Sequence, residues 1–185
     1  MRAPLRDFGT AAPAVDRLDV LTGPVADALR HWSGSAPAER IAHVDTEPEW
    51  AETADFVVHY GRELLERSAD CVVVAGRRGG VTTLAACVVL STTRVDVNGV
   101  VRRRFDARKA SFAAMDTAVG ETGTEYGGIT PIGLPAGWPV LVDPAVVDLP
   151  YVLVGSGRRC GKPLVPGEAL AELPGAVTRP ALGIA

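Results

Sequence analysis

The chain has 185 residues, 47% hydrophobic and 22% charged, with a net charge of −3. That suits one domain with a substantial core and excludes a generic nucleic-acid glue. No apolar run reaches the roughly 18 residues of a membrane helix, and the opening MRAPLRDFGT lacks the apolar stretch of a secretory signal. No membrane segment is expected, and a cytoplasmic location follows by default.

Residues 1–20 are rich in alanine and proline and read as a loosely held lead-in, part of an N-terminal extension over 1–45 that precedes a domain over 46–185. Pro24 to Trp32 predicts a short helix with proline in its first turn, stopped by Ser33-Gly34-Ser35. Arg40 to Val44 reads as a short strand. Thr46 with Glu49 has capping-box spacing, and Thr53 is a second candidate cap for a helix toward Tyr60, ended by Gly61. Asp70–Ala75 and Thr83–Leu90 are β-branched and apolar on both faces, as central strands are, with a hairpin turn at Arg77-Arg78-Gly79-Gly80. Helical spacing runs over 111–120 and is closed by Gly120 and Gly123. Pro139–Val142 is a predicted strand, Asp143-Pro144 a cap and first helical position, and Tyr151–Val154 a further strand. Pro166 begins a last helix over 167–172. These elements make a single α/β domain.

The three cysteines, Cys71, Cys87 and Cys160, have no metal-like spacing, and His31, His43 and His59 are scattered. Buried thiols and no metal site are the expectation, and no cofactor motif is present. Charge is uneven: residues 1–70 carry −6, 71–112 carry +6, and 113–185 carry −3. The central basic segment, with Arg77, Arg78, Arg102, Arg103, Arg104, Arg108 and Lys109, is either a phosphate-facing surface or a solvated arginine-rich face. Arg158 and Arg159 are open to the same two readings.

Two glycine loops stand out. EYGGITPIGLP (125–135) places Gly127, Gly128 and Gly133 around Pro131, and Gly155-Ser156-Gly157 follows a strand. Glycine allows close backbone approach, while proline stiffens the loop and removes a donor. There is no GxxxxGK[ST], no GxGxxG and no GxSxG, so neither triphosphate hydrolysis, a dinucleotide fold nor a serine triad is indicated. What is left is a site lined by backbone and flanked by arginines, suited to a small ligand or a nucleotide end. Thr130 is its best-placed polar side chain.

These loops resemble the YbaK/prolyl-tRNA editing-domain family. TGTEYGGITPIGLP (122–135) is similar to the family's GxxxP loop, Gly127 to Pro131 here. RVDVNGVVRRRFDARKASFA (94–113) resembles the segment around its basic pair, here Arg108-Lys109. WPVLVDPAVV (138–147) resembles its strand ending in aspartate, here Asp143, and VLVGSGRRCGKPLV (152–165) its late strand and turn, Gly155-Ser156-Gly157. The order agrees over roughly 50–174. The resemblance implies a mixed six-stranded, barrel-like sheet surrounded by helices. It implies trans-acting deacylation of a small amino acid wrongly esterified to the tRNA 3′ end, without cofactor or metal. The partners implied are the tRNA acceptor end and an aminoacyl-tRNA synthetase, with no membrane. The candidate catalytic positions are Gly127, Gly128, Thr130 and Pro131; the candidate substrate-binding ones are Gly133, Asp143, Gly155, Ser156, Gly157, Arg108 and Lys109, with Arg77 and Arg78 from the basic segment.

One departure is plain: a strand-start lysine of the family falls on Asp70. Three readings follow: Arg77, Arg78 or Lys109 supplies the cation, the substrate differs, or the activity is lost. The competing functions are a non-catalytic module binding tRNA ends or a synthetase, and a binder or hydrolase of another nucleotide-like small molecule.

Overall fold

A computed structural model describes residues 11–50 and 52–185; the first ten residues of the predicted lead-in lie outside the described residues. In chain order the strands are β1 (Ala11–Pro13), β2 (Ala42–Asp45), β3 (Ala69–Arg78), β4 (Val81–Leu90), β5 (Arg94–Val95), β6 (Lys109–Phe112), β7 (Val140–Val142), β8 (Val152–Leu153), β9 (Gly161–Val165), β10 (Ala176–Thr178) and β11 (Gly183–Ile184). The helices are α1 (Gly23–Arg30), α2 (Thr53–Tyr60), α3 (Arg102–Arg104), α4 (Met115–Thr122), α5 (Pro144–Val147) and α6 (Gly167–Leu170).

The apolar runs behave as their composition demands. β3 and β4 pair antiparallel from Ala69↔Leu90 to Arg78↔Val81. Gly79 and Gly80 both take positive φ, as a two-residue hairpin turn matched to strand twist requires. Cys71, Ala86 and Val88 enter the core on one face, and Val74, Ala85, Cys87 and Val89 pack into a second core on the other. Burial on both faces is why these strands lack polar alternation.

The sheet architecture differs from the six-stranded barrel. Among the described residues the strands form a five-stranded mixed sheet, β10-β7-β4-β3-β6, a four-stranded sheet, β1-β2-β9-β8, and a two-stranded pair, β11-β5, none closed into a barrel. The reason lies in residues 11–45. β2 pairs antiparallel with β9, so β8 and β9 join the N-terminal strands and do not continue around from β3 and β4. The two larger sheets meet at one bridge, Ser68↔Leu153.

Three local expectations also give way to tertiary contacts. Residues 109–112 are strand, because Ala110 and Ser111 pair with Gly76 and Ala75 of β3, and helix begins only at Met115. Thr46 does not cap a helix: a turn of 3-10 helix spans Pro48–Trp50, and the Thr46 hydroxyl is buried without a partner. Thr53 is the first residue of α2, with Glu52 at the cap position; its hydroxyl turns toward Asp70 Oδ1, 3.4 Å away.

Candidate active site

The two glycine loops are bonded to each other. Gly157 N donates to Gly128 O at 2.8 Å, Glu125 N donates to Gly157 O at 2.7 Å, and Gly128 N donates to Glu125 O at 2.9 Å. A Cβ on Gly128 would lie 2.8 Å from the Gly157 carbonyl carbon, and one on Gly155 would lie 3.0 Å from the Gly128 carbonyl carbon. The glycines at 128 and 155 therefore serve backbone-to-backbone packing first. Gly127, with φ +77°, turns the chain where Glu52 and Arg159 close over it.

Arg159 fastens this corner. Its Nη1 donates to Glu52 Oε1 at 3.0 Å and to Tyr126 O at 3.3 Å, its Nη2 donates to Pro48 O at 3.2 Å, and its amide donates to Glu125 Oε2 at 2.9 Å. Behind the loop, α1 packs against Gly133, which lies too close to the Pro24 carbonyl to carry a side chain. Val25 and Leu29 of α1 are fully buried in the main core. Residues read as an extension thus brace the loop from the rear.

A cavity of about 220 Å³ opens on each side of the loop. The rear one lies between α1 and Pro131, and Trp32, Leu134 and Leu173 make it largely apolar. The front one, at the junction of the two large sheets, gathers charge: Glu52, Asp70 and Lys162 line it together with Thr53, Gly127 and Gly155. Its rim carries two exposed side chains, Tyr126 and Met115.

Within the front cavity Asp70 accepts from Ser91 Oγ at 2.9 Å and faces the Thr53 hydroxyl. Lys162 is only 6% exposed, and its ammonium lies 5.4 Å from the Phe56 ring centroid. Burial lowers the lysine pKa, while the negative charges of Asp70 and Glu52 pull it back up. Cys71 also lines the cavity, but burial pushes its thiol pKa far up, so it stands as a neutral thiol and not as a nucleophile.

The structure brings Gly127, Gly155 and Asp70 to one cavity and places the remaining candidates elsewhere. Gly128 and Gly157 hold the loops together behind its wall. Thr130 is fully buried and its hydroxyl faces the amide of Ile132; Ser156 is buried in a turn, donating to Arg158 O at 2.9 Å. Pro131 and Gly133 line the rear cavity. Asp143 caps α5 through Ala145 N at 2.9 Å and also accepts from Gly183 N at 2.7 Å. Arg77 pairs in register with Lys109, Arg108 N donates to Arg77 O at 2.9 Å, and Arg78 is ion-paired with Asp106. Arg77 lies seven residue steps along the strand from Asp70, about 23 Å at the usual rise, so this basic end of β3 lies well away from the cavity.

Sequence reading did not single out Glu52 or Lys162. One signal for the lysine was available: of 19 basic side chains only Lys109 and Lys162 are lysines, the rest arginines.

Residues 48–172 match the family model described as the aminoacyl-tRNA editing domain. Among solved structures, a candidate trans-editing enzyme for prolyl tRNA synthetase aligns with a TM-score of 0.71 and 19% identity, over 88% of this chain and 96% of that chain. A structure from work on computational grafting of epitopes onto scaffold proteins aligns with a TM-score of 0.70 and 18% identity, again over 88% and 96%. The hypothetical protein APE2540 aligns with a TM-score of 0.62 and 19% identity, over 72% and 85%. At these identities the solved structures establish the fold. No curated protein matches the chain. With the family model spanning the glycine loop, the front cavity and the strands from β3 to β9, the chain belongs to the aminoacyl-tRNA editing domain family.

Proposed function

We propose that this chain is a trans-acting deacylase that hydrolyses a small amino acid wrongly esterified to the 3′ end of a tRNA. The observation that carries the reading is the front cavity itself, where a loop made rigid by its bonds to a second loop borders a charged trio, Glu52, Asp70 and Lys162. At about 220 Å³ it is smaller than the roughly 300–1,000 Å³ of sites for drug-sized ligands. It suits an acyl group and the sugar edge that bears it. The terminal base would rest on the rim, where the exposed Tyr126 ring offers a face for stacking.

The chemistry asked of such a site is modest. Water adds to the ester carbonyl and the ribose oxygen leaves, giving free amino acid and tRNA. Holding water and ester in reacting geometry lowers the barrier by several kcal/mol without a nucleophilic side chain, and donors aimed at the developing oxyanion add to that. The neutral thiol of Cys71 fits a reaction in which the protein positions and does not attack.

A deacylation assay over a panel of mischarged tRNAs tests the proposal. Turnover of a small-side-chain ester, lost in Gly127→Val, is expected. Intact tRNA binding with no turnover of any ester overturns it in favour of a binding module.

A further inference from the structure

We infer that Lys162 is a substrate-contacting residue: its ammonium donates to an oxygen acceptor of the ligand held in the front cavity. The inference rests on the reading of that cavity as the ligand site.

An ammonium taken out of water is costly unless it is paired and hydrogen-bonded. Lys162 is more than nine-tenths buried, yet among the described residues it makes no ion pair and no hydrogen bond. The Phe56 ring supplies one face of attraction. Asp70 and Glu52 line the same cavity and act on the lysine through space, favouring its charged form. Ser91 and Arg159 already hold these carboxylates. Three N–H donors are thus left for whatever enters.

The position is held firmly. Lys162 lies in β9 between β2 and β8, in register with Val44. A lysine that served only the fold would be expected to bond a neighbour. This one lines the same cavity as Gly127 and Asp70. Asp70 and Glu52 favour the charged form of Lys162 against its burial, beside a site whose ligand presents oxygen acceptors: a phosphate, a ribose hydroxyl or the ester itself.

Because the chain has two lysines, amine chemistry reads the point directly on the wild-type protein. Reductive methylation followed by mass spectrometry should modify both Lys109 and Lys162. Saturating probe should slow the reaction at Lys162 at least tenfold and leave Lys109 unchanged. The probes are adenosine 5′-monophosphate and alanyl-3′-amino-3′-deoxyadenosine, a non-hydrolysable amide without phosphate. Protection by the first alone assigns the acceptor to phosphate, and protection by the second assigns it to the acyl or ribose oxygens. Lys162→Met should fold and weaken binding of the protecting probe at least tenfold. A Lys162 that never reacts while Lys109 does, or that neither probe protects, overturns the inference. If esters are turned over while Lys162→Met binds and reacts like wild type, the inference falls and the deacylase reading stands. If no ester is turned over but adenosine 5′-monophosphate protects Lys162, the deacylase reading falls and the contact stands.

Discussion

The Gly157 amide donates to the Gly128 carbonyl at 2.8 Å, which makes two loops distant in sequence one backbone unit. The space between them admits no side chain, since a Cβ on Gly128 would sit 2.8 Å from the Gly157 carbonyl carbon. Gly128→Ala should therefore force the loops apart and cost about 1–3 kcal/mol, the usual range for overpacking. Urea unfolding checks the loss, and deacylation should fall with it. An unchanged midpoint would mean that the loops are not packed as described.

Lys162 and its neighbours give stability a particular dependence on pH. Burial lowers the lysine pKa in the folded state, so the unfolded chain binds more protons between that lowered value and the ordinary value near 10.4. Stability from this group rises with pH across that window. Cys71 and Cys87 act oppositely: burial raises both thiol pKa values, Cys87 to about 12, so their contribution is complete below about 8.5 and is lost as pH rises beyond it. Comparing wild type with Lys162→Met isolates the lysine. The variant should be at least as stable near neutrality, with the margin shrinking as pH rises through the lysine window.

His43 is fully buried, and neither ring nitrogen has a hydrogen-bond partner. Its pKa is lowered by burial, against the pull of Asp45, whose Oδ1 lies 3.5 Å from Nε2. The unfolded chain protonates first, near 6.5, so stability should fall on acidification from that value down to the folded pKa and stay level below it. His43→Leu should remove this step from a series of chemical denaturation curves. A step of equal size in the variant would assign it to other groups.

Arg159 joins Glu52 and Tyr126, which line the front cavity, to Pro48. Its ion pair with Glu52 is partly exposed, at 32% and 47%, which limits that pair to under about 1 kcal/mol. Arg159→Ala should cost little stability but loosen the rim, raising KM for a mischarged tRNA more than it lowers kcat. Steady-state kinetics and thermal melting on the same preparation separate the two effects.

A fragment over residues 46–185 should lack a cooperative unfolding transition. Removing residues 11–45 strips β2 from β9 and takes Val25, Leu29, Ile41 and Val44, each at most 1% exposed, out of the cores. Each such side chain is worth about 1.5–3 kcal/mol of burial, comparable together to the whole stability of a typical domain. A sharp melt of the fragment by circular dichroism would contradict this.

What the sequence determined by itself is local or strongly patterned. The apolar runs of β3 and β4 allow no other placement than between two cores, Gly79-Gly80 sets the hairpin, and Asp143-Pro144 starts α5 with the cap its chemistry predicts. The glycine loop announced itself because adjacent glycines and stiffening prolines are rarely needed without a close approach. What the loop approaches was not legible, since Gly155 and Gly157 reach it only through the fold. The strand at 109–112 needed β3 beside it, and β1 and β2 needed β9. The charge of the site was hidden for the same reason. Position 70 reads as an aspartate where a cation is looked for along the chain, while the cavity's ammonium comes from Lys162, 92 residues later and on the other large sheet. Sequence spacing describes neighbours along a strand. Only the meeting of the two sheets decides which charges share a cavity.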